Sequence, residues 1–172
     1  MFLPNTYRYL QLVKIRLICL NKTAKEYENL VAEYSKRIAR YTKFDMVILP
    51  AVKGINASEE QQKKEAEKIL AKIQSTSYVI LLNETKPINS IGGKEYTSKQ
   101  FANLLQQKMN ASISELVFVI GGAYGFYQSV YDIAKEQVSL SKLTLPHQLV
   151  RLVFLEQLYR GFTILRGEKY HH

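Results

Sequence analysis

The chain has 172 residues, with 24 Lys+Arg against 15 Asp+Glu and a formal charge of +9. That length suits one domain with a real core, and 47% hydrophobic with 23% charged residues argues against a disordered or fibrous chain. No apolar run approaches the ~18 residues of a membrane span, and the basic balance favours a polyanionic partner, nucleic acid ahead of an anionic membrane.

Residues 1–12, MFLPNTYRYLQL, carry no periodic pattern and lack the basic start and long apolar stretch of a signal peptide. They read as an N-terminal extension before a single domain over 13–172. VKIRLICL, 13–20, is rich in branched residues and predicts a strand. It contains the single cysteine, Cys19. One cysteine makes no internal disulfide and suits a reducing cytoplasm, and its apolar neighbours favour a small buried hydrophobe over a reactive thiol. Residues 24–40 place Tyr27, Leu30, Val31, Tyr34 and Ile38 at helical spacing, with Thr23 as N-cap. KFDMVIL, 43–49, predicts a second strand closed by Pro50. Ser58 and Gln61 form a capping-box pair that opens a charged helix over 59–73.

YVILLN, 78–83, is continuously apolar, as in a strand buried on both faces of a parallel sheet. A long polar loop with a Gly-Gly pair follows. After it come a helix over 99–109, a buried strand over 115–120, a helix over 126–136, a short strand over 137–141 and the longest helix, 147–164. Strand and helix alternate throughout, which predicts an α/β fold: a parallel sheet with helices on both faces.

Two loops carry the chemistry. IGGAYG, Ile120 to Gly125, ends a buried strand and opens a helix. Its G-G-x-x-G spacing is neither the G-x-G-x-x-G of a dinucleotide site nor a P-loop. It fits an adenosine pocket without a phosphate cradle, and equally a tight strand–helix turn with no ligand. SLSKLTLPHQ, Ser139 to Gln148, alternates hydroxyls with leucines. It suits adenine held by main-chain hydrogen bonds and aliphatic contact, or an ordinary helix entry with Thr144 as N-cap and Pro146 near the first turn. On the next helix His147 and Arg151 share a face. An arginine on so apolar a helix needs a partner: Glu156, a bound anion or a facing subunit. The surplus of Leu and Val there points to a dimer seam. The tail, Arg166 to His172, is rich in side chains suited to phosphate contact and base stacking, on a terminus expected to fray. Adjacent His171 and His172 make a poor metal site.

FVIGGAYG, followed by SLSKLTLPHQLVRLVFLEQLYRGFTILRGEKYHH, resembles the RlmH family, SPOUT-class methyltransferases that methylate N3 of a pseudouridine in large-subunit (23S) ribosomal RNA. KIRLICLNKTAKEYENLVAEYSKRIARYTKFDMVILP is similar to the family's opening strand–helix–strand, so the resemblance covers roughly 13–172. It implies a trefoil knot in the C-terminal half, S-adenosylmethionine as cofactor, no metal, a cytoplasmic homodimer and ribosomal RNA as partner, within the assembled ribosome. It places the cofactor at Leu82, Gly121, Gly122 and the run Leu140, Ser141, Lys142, Leu143, Thr144, Leu145. It aligns the family's His and Arg with His147 and Arg151 and its terminal Tyr-His with Tyr170 and His171; His147, Arg151 and His171 are the expected catalytic residues, and the chemistry of the tail assigns RNA contact to Arg166, Lys169 and Tyr170. The chain departs from the family in its residues 1–12, in Leu20-Asn21-Lys22 where the family has V-G-K, in Asn83 where an acidic residue is usual, and in a longer 84–93 loop that displaces the G-K now at Gly93 and Lys94.

Methyl transfer to N3 requires loss of its proton, and charge then spreads to the flanking carbonyls. The expectation is that Arg151 stabilises that charge or binds RNA, while His147, or His171 from a partner's tail, positions or deprotonates the base. The competing reading is a non-catalytic RNA-binding, ribosome-associated factor. A flavin- or nicotinamide-dependent oxidoreductase is disfavoured by the missing phosphate fingerprint.

Overall fold

A computed structural model describes residues 13–50, 52, 58–83, 93–111 and 113–170. The 1–12 extension, most of the 84–93 loop, and His171 and His172 lie outside the described residues.

Six strands form one all-parallel sheet in the order β2-β1-β5-β3-β6-β4. In chain order these are β1 Lys14–Leu20, α1 Lys25–Ile38, β2 Lys43–Leu49, α2 Ser58–Leu70, β3 Tyr78–Leu82, β4 Lys94–Glu95, α3 Ser98–Asn110, β5 Glu115–Ile120, α4 Gln128–Ile133, β6 Glu136–Ser139 and α5 His147–Leu165. The continuous apolar runs of β3 and β5 are explained by burial on both sides: every residue of β5 is buried, and the sheet separates two cores. One core packs α1, α3 and α5 against one face through Val31, Ile38, Leu105, Phe154 and Leu158. The other packs α2 and α4 against the opposite face through Ala66, Ile69, Phe126 and Val130. The predicted α/β class with helices on both faces is the one found.

Local signals were less reliable. Thr23 is not the cap of α1: Ala24 occupies that position without a side-chain cap, because the Thr23 hydroxyl accepts from Arg151 instead. Thr144 does not cap α5, whose N-cap is Pro146. Ser58 is the first residue of α2, and the Gln61 side-chain amide donates to Glu65 Oε1 at 2.9 Å. Thr97 and Gln100 form a capping box at the start of α3. β4 was hidden in a polar stretch, and α4 is only six residues long.

Cys19 is fully buried in β1, and burial pushes its thiol up to about 11 against a weaker opposing pull from Arg151. The folded thiol holds its proton more tightly than an unfolded one near 8.5. Its contribution to stability is therefore full below about pH 8.5 and lost as the pH rises through about 11. Native protein at pH 8 is expected to resist iodoacetamide and to react once unfolded in guanidinium; labelling at equal rates in the two states would refute this.

Candidate functional site

The carboxyl ends of β3, β5 and β6 lie side by side. Leu82 pairs with Ile120 on one side and with Val138 on the other, so the segments leaving these strands start at one level. This is where ligands bind in open parallel sheets. The backbone N–H of Asn83 donates to Val138 O at 3.0 Å, and its side-chain amide donates to Gln137 Oε1 at 3.0 Å and to the Tyr131 hydroxyl at 3.2 Å. Gly93, returning from the long loop, wedges between the strand ends. A Cβ there would stand 2.7 Å from Ser139 N, 2.8 Å from Val138 C and 2.9 Å from Asn83 O. Three main-chain segments meet so closely that only glycine fits.

The glycine turn closes through Gly125 N donating to Gly122 O at 3.1 Å, with Gly125 at φ 77°. Gly121 packs over the Phe126 ring, which a Cβ would approach to 3.0 Å, and Gly122 packs over the carboxylate of Glu65 from α2. The third loop folds on its own hydroxyls: Ser139 Oγ donates to Ser141 O, and Leu143 N donates to Ser141 Oγ, both at 2.9 Å. Leu82 is 7% exposed at the floor, while Leu143 is 74% and Tyr124 is 52% exposed at the rim. Lys142 reaches Glu95 at 3.7 Å, and Thr144 is exposed. The predicted cofactor residues Leu82, Gly121, Gly122 and Leu140 to Leu145 thus belong to neighbouring strand ends at one edge of the sheet.

Arg151 does not meet Glu156. It is 1% exposed, and its guanidinium donates to Thr23 Oγ1, to Leu20 O at 3.3 Å and to Asn21 O at 2.9 Å. Glu156 instead pairs with Arg160 one turn further along. Gln148 adds two bonds to the same β1–α1 segment, donating to Lys22 O at 2.9 Å and accepting from Ala24 N at 3.1 Å. Asn21, at φ 71°, makes the reversal that these bonds hold. The first turn of α5 is therefore clamped to the end of β1, with half-buried His147 at its tip and Lys22 exposed beside it.

The tail is docked as far as Tyr170. Gly167 at φ 66° ends α5 with Gly167 N donating to Ile164 O at 3.0 Å and Glu168 N to Thr163 O at 2.9 Å, a Schellman pair. The Tyr170 ring lies 4.8 Å from Tyr159, and Arg160 sits 4.9 Å from its centroid. Burial, with Tyr34 alongside, raises the Tyr170 hydroxyl well above the ordinary tyrosine range. Arg166 stacks 4.7 Å from the Tyr41 centroid, and Lys169 is exposed. Because α5 has 19 residues, its ends are about 27 Å apart. The tail and His147 of one chain therefore sit at opposite ends of a helix.

Sequence reasoning gave no site role to Gly93, Gln148, Asn21 or Glu65. Only the Gly-Gly pair held a visible signal; the others are defined by contacts between distant segments. Among the described residues no cluster of three His, Cys, Asp or Glu could hold a metal, and no helix is long and apolar enough to cross a membrane.

Residues 13–171 match the family model described as "Predicted SPOUT methyltransferase". The chain is 50% identical over 163 residues to the protein named "Ribosomal RNA large subunit methyltransferase H" of Flavobacterium johnsoniae, covering 93% of this chain and 99% of that one. It is 47% identical over 161 residues to the protein of that name from Christiangramia forsetii, 92% and 98% covered, and 46% identical over 163 residues to that of Parabacteroides distasonis, 93% and 99% covered.

Proposed function

The chain belongs to the SPOUT methyltransferase family, and on that premise we propose that it transfers a methyl group from S-adenosylmethionine to N3 of a pseudouridine in large-subunit ribosomal RNA, as a cytoplasmic homodimer acting on the assembled ribosome. The observation that carries this reading is the side-by-side alignment of the β5, β3 and β6 ends, with Gly93 packed between the last two. That edge fits the cofactor: glycines bring main chain close to a ligand, Leu82 and Leu143 offer apolar contact, and no phosphate cradle is needed. Leu82, Gly121, Gly122 and Leu140 to Leu145 would hold it, and when bound it supplies an electrophilic methyl group. A trefoil knot in the C-terminal half accords with the sheet order, in which β5 enters between β1 and β3, and with the close approach at Gly93.

His147, at the start of the helix clamped to the end of β1, is assigned to take or position the N3 proton. Arg151 acts as a positioning residue: buried on the carbonyls of Leu20 and Asn21, it holds the segment beside His147. RNA contact falls to the tail, through Arg166, Lys169 and Tyr170, and His171 of a partner's tail is the alternative to His147 for positioning or deprotonating the base. Across about 27 Å of helix that tail serves the pocket of a second copy. The partly buried Leu149, Val150, Leu152 and Val153 of α5 suit the seam between copies.

Calorimetry with S-adenosylmethionine tests the cofactor; no binding at millimolar concentration would leave an RNA-binding factor without catalysis. Mass spectrometry of ribosomal RNA from a deletion strain should then lose one methyl on one pseudouridine. His147→Ala is expected to slow methylation by about 10²-fold with an unchanged melting temperature, and full activity would remove His147 from the chemistry.

A further inference from the structure

Glu65 sits in the middle of α2 and takes no part in the assignments above. It is 3% exposed. Its Oε1 accepts from Gln61 Nε2 at 2.9 Å, whereas its Oε2 is buried with no hydrogen-bond partner. The carboxylate is aimed at the glycine turn: a Cβ on Gly122 would collide with Oε2 and lie 3.0 Å from Cδ and 3.2 Å from Oε1. Gly122 is thus a glycine so that a carboxylate can close on the turn from beneath. A buried carboxylate oxygen without a donor is costly and rare in folded chains. Its position against the turn, where the cofactor reading puts the ligand, suggests that the ligand completes it.

Resting on that cofactor reading, we propose that Glu65 Oε2 receives the α-ammonium group of the methionyl end of S-adenosylmethionine. An orphaned carboxylate oxygen calls for an N–H donor, and a cationic donor makes the stronger, shorter bond. Of the cofactor's groups, the α-ammonium is the one that is both cationic and rich in N–H. On the same cofactor reading the adenosine end is held by the Ser139–Leu145 loop, so the two ends would be read by different strand ends. Glu65 accordingly sets affinity for the amino-acid part of the ligand and leaves the nucleoside part untouched.

Calorimetry on the full-length protein with S-adenosylhomocysteine and with 5′-methylthioadenosine, which lacks the amino-acid end, separates the two. Glu65→Gln keeps the shape and the Gln61 contact. It is expected to weaken S-adenosylhomocysteine on the order of 10- to 100-fold and to leave 5′-methylthioadenosine unchanged. Glu65→Asp, which keeps the charge but sets it back by one methylene, should show a smaller loss of the same selectivity, and it carries the test if the Gln variant folds poorly. Equal weakening of both ligands, or none for S-adenosylhomocysteine, overturns this role for Glu65 while the cofactor site stands. Wild-type protein that binds neither ligand overturns the cofactor reading and this inference together.

Discussion

Gly93→Ala is expected to unfold the cofactor edge and abolish cofactor binding. The added methyl would meet Ser139 N at 2.7 Å, Val138 C at 2.8 Å and Asn83 O at 2.9 Å. All three are main-chain atoms, so no rotamer change can relieve the contact. Separating them breaks the bond from Asn83 N to Val138 O and parts β3 from β6. Overpacking usually costs about 1–3 kcal/mol, and with only backbone available to move the cost belongs at the upper end, about 3 kcal/mol. For a chain of this size that lowers the melting temperature by roughly 6–12 °C. Thermal unfolding by circular dichroism and calorimetry with S-adenosylmethionine measure the two effects. A variant that melts with the wild type and binds the cofactor normally would show that the three segments do not meet as described.

Arg151→Ala is expected to be at least as damaging, through a different mechanism. It strands Leu20 O, Asn21 O and Thr23 Oγ1, and it empties the site of the largest fully buried side chain. With each of the three stranded groups at the low end of about 1–3 kcal/mol, as for groups that water can reach once the side chain is gone, and the cavity added, the total is about 4–5 kcal/mol. A fall in melting temperature of roughly 10 °C or more follows. Methylation should be lost with it, since Asn21 to Ala24 would come free of α5. Arg151→Lys keeps the charge but cannot reach three acceptors at once, and it should recover only part of the stability. If Arg151→Ala melted like the wild type while losing activity, its guanidinium would have to face the substrate instead.

These two residues also mark what can be read from the chain alone. The strands and helices were legible because their apolar periods are local: β5 and β3 are continuous hydrophobic runs, and α1 repeats at helical spacing. The loops of the proposed cofactor edge were legible as glycine and hydroxyl clusters, and their linear order sufficed for a family resemblance that the family model and the relatives bear out. Arg151 was visible as an odd charge on an apolar helix, but its partners were misassigned. Thr23 and the Leu20 and Asn21 carbonyls lie about 130 residues away in sequence, and carbonyl acceptors leave no mark on residue type. For the same reason Thr23 and Thr144 looked like caps. A hydroxyl before a helix is a local signal, and at Thr23 a distant guanidinium outcompetes it.

The sequence by itself determined the α/β class, the order of the elements, the positions of the two loops and the family. All of these depend on patterns within some ten to forty neighbouring residues. Only the tertiary structure decided what the loops are built around. Gly93 is wedged between backbones, Glu65 is held under Gly122 with one oxygen unpaired, Arg151 is turned inward to clamp the end of β1, and Tyr170 is folded back on Tyr159. Each is a contact between segments far apart in the chain. Its energy comes from desolvation and close approach, which exist only once the sheet has brought those segments together.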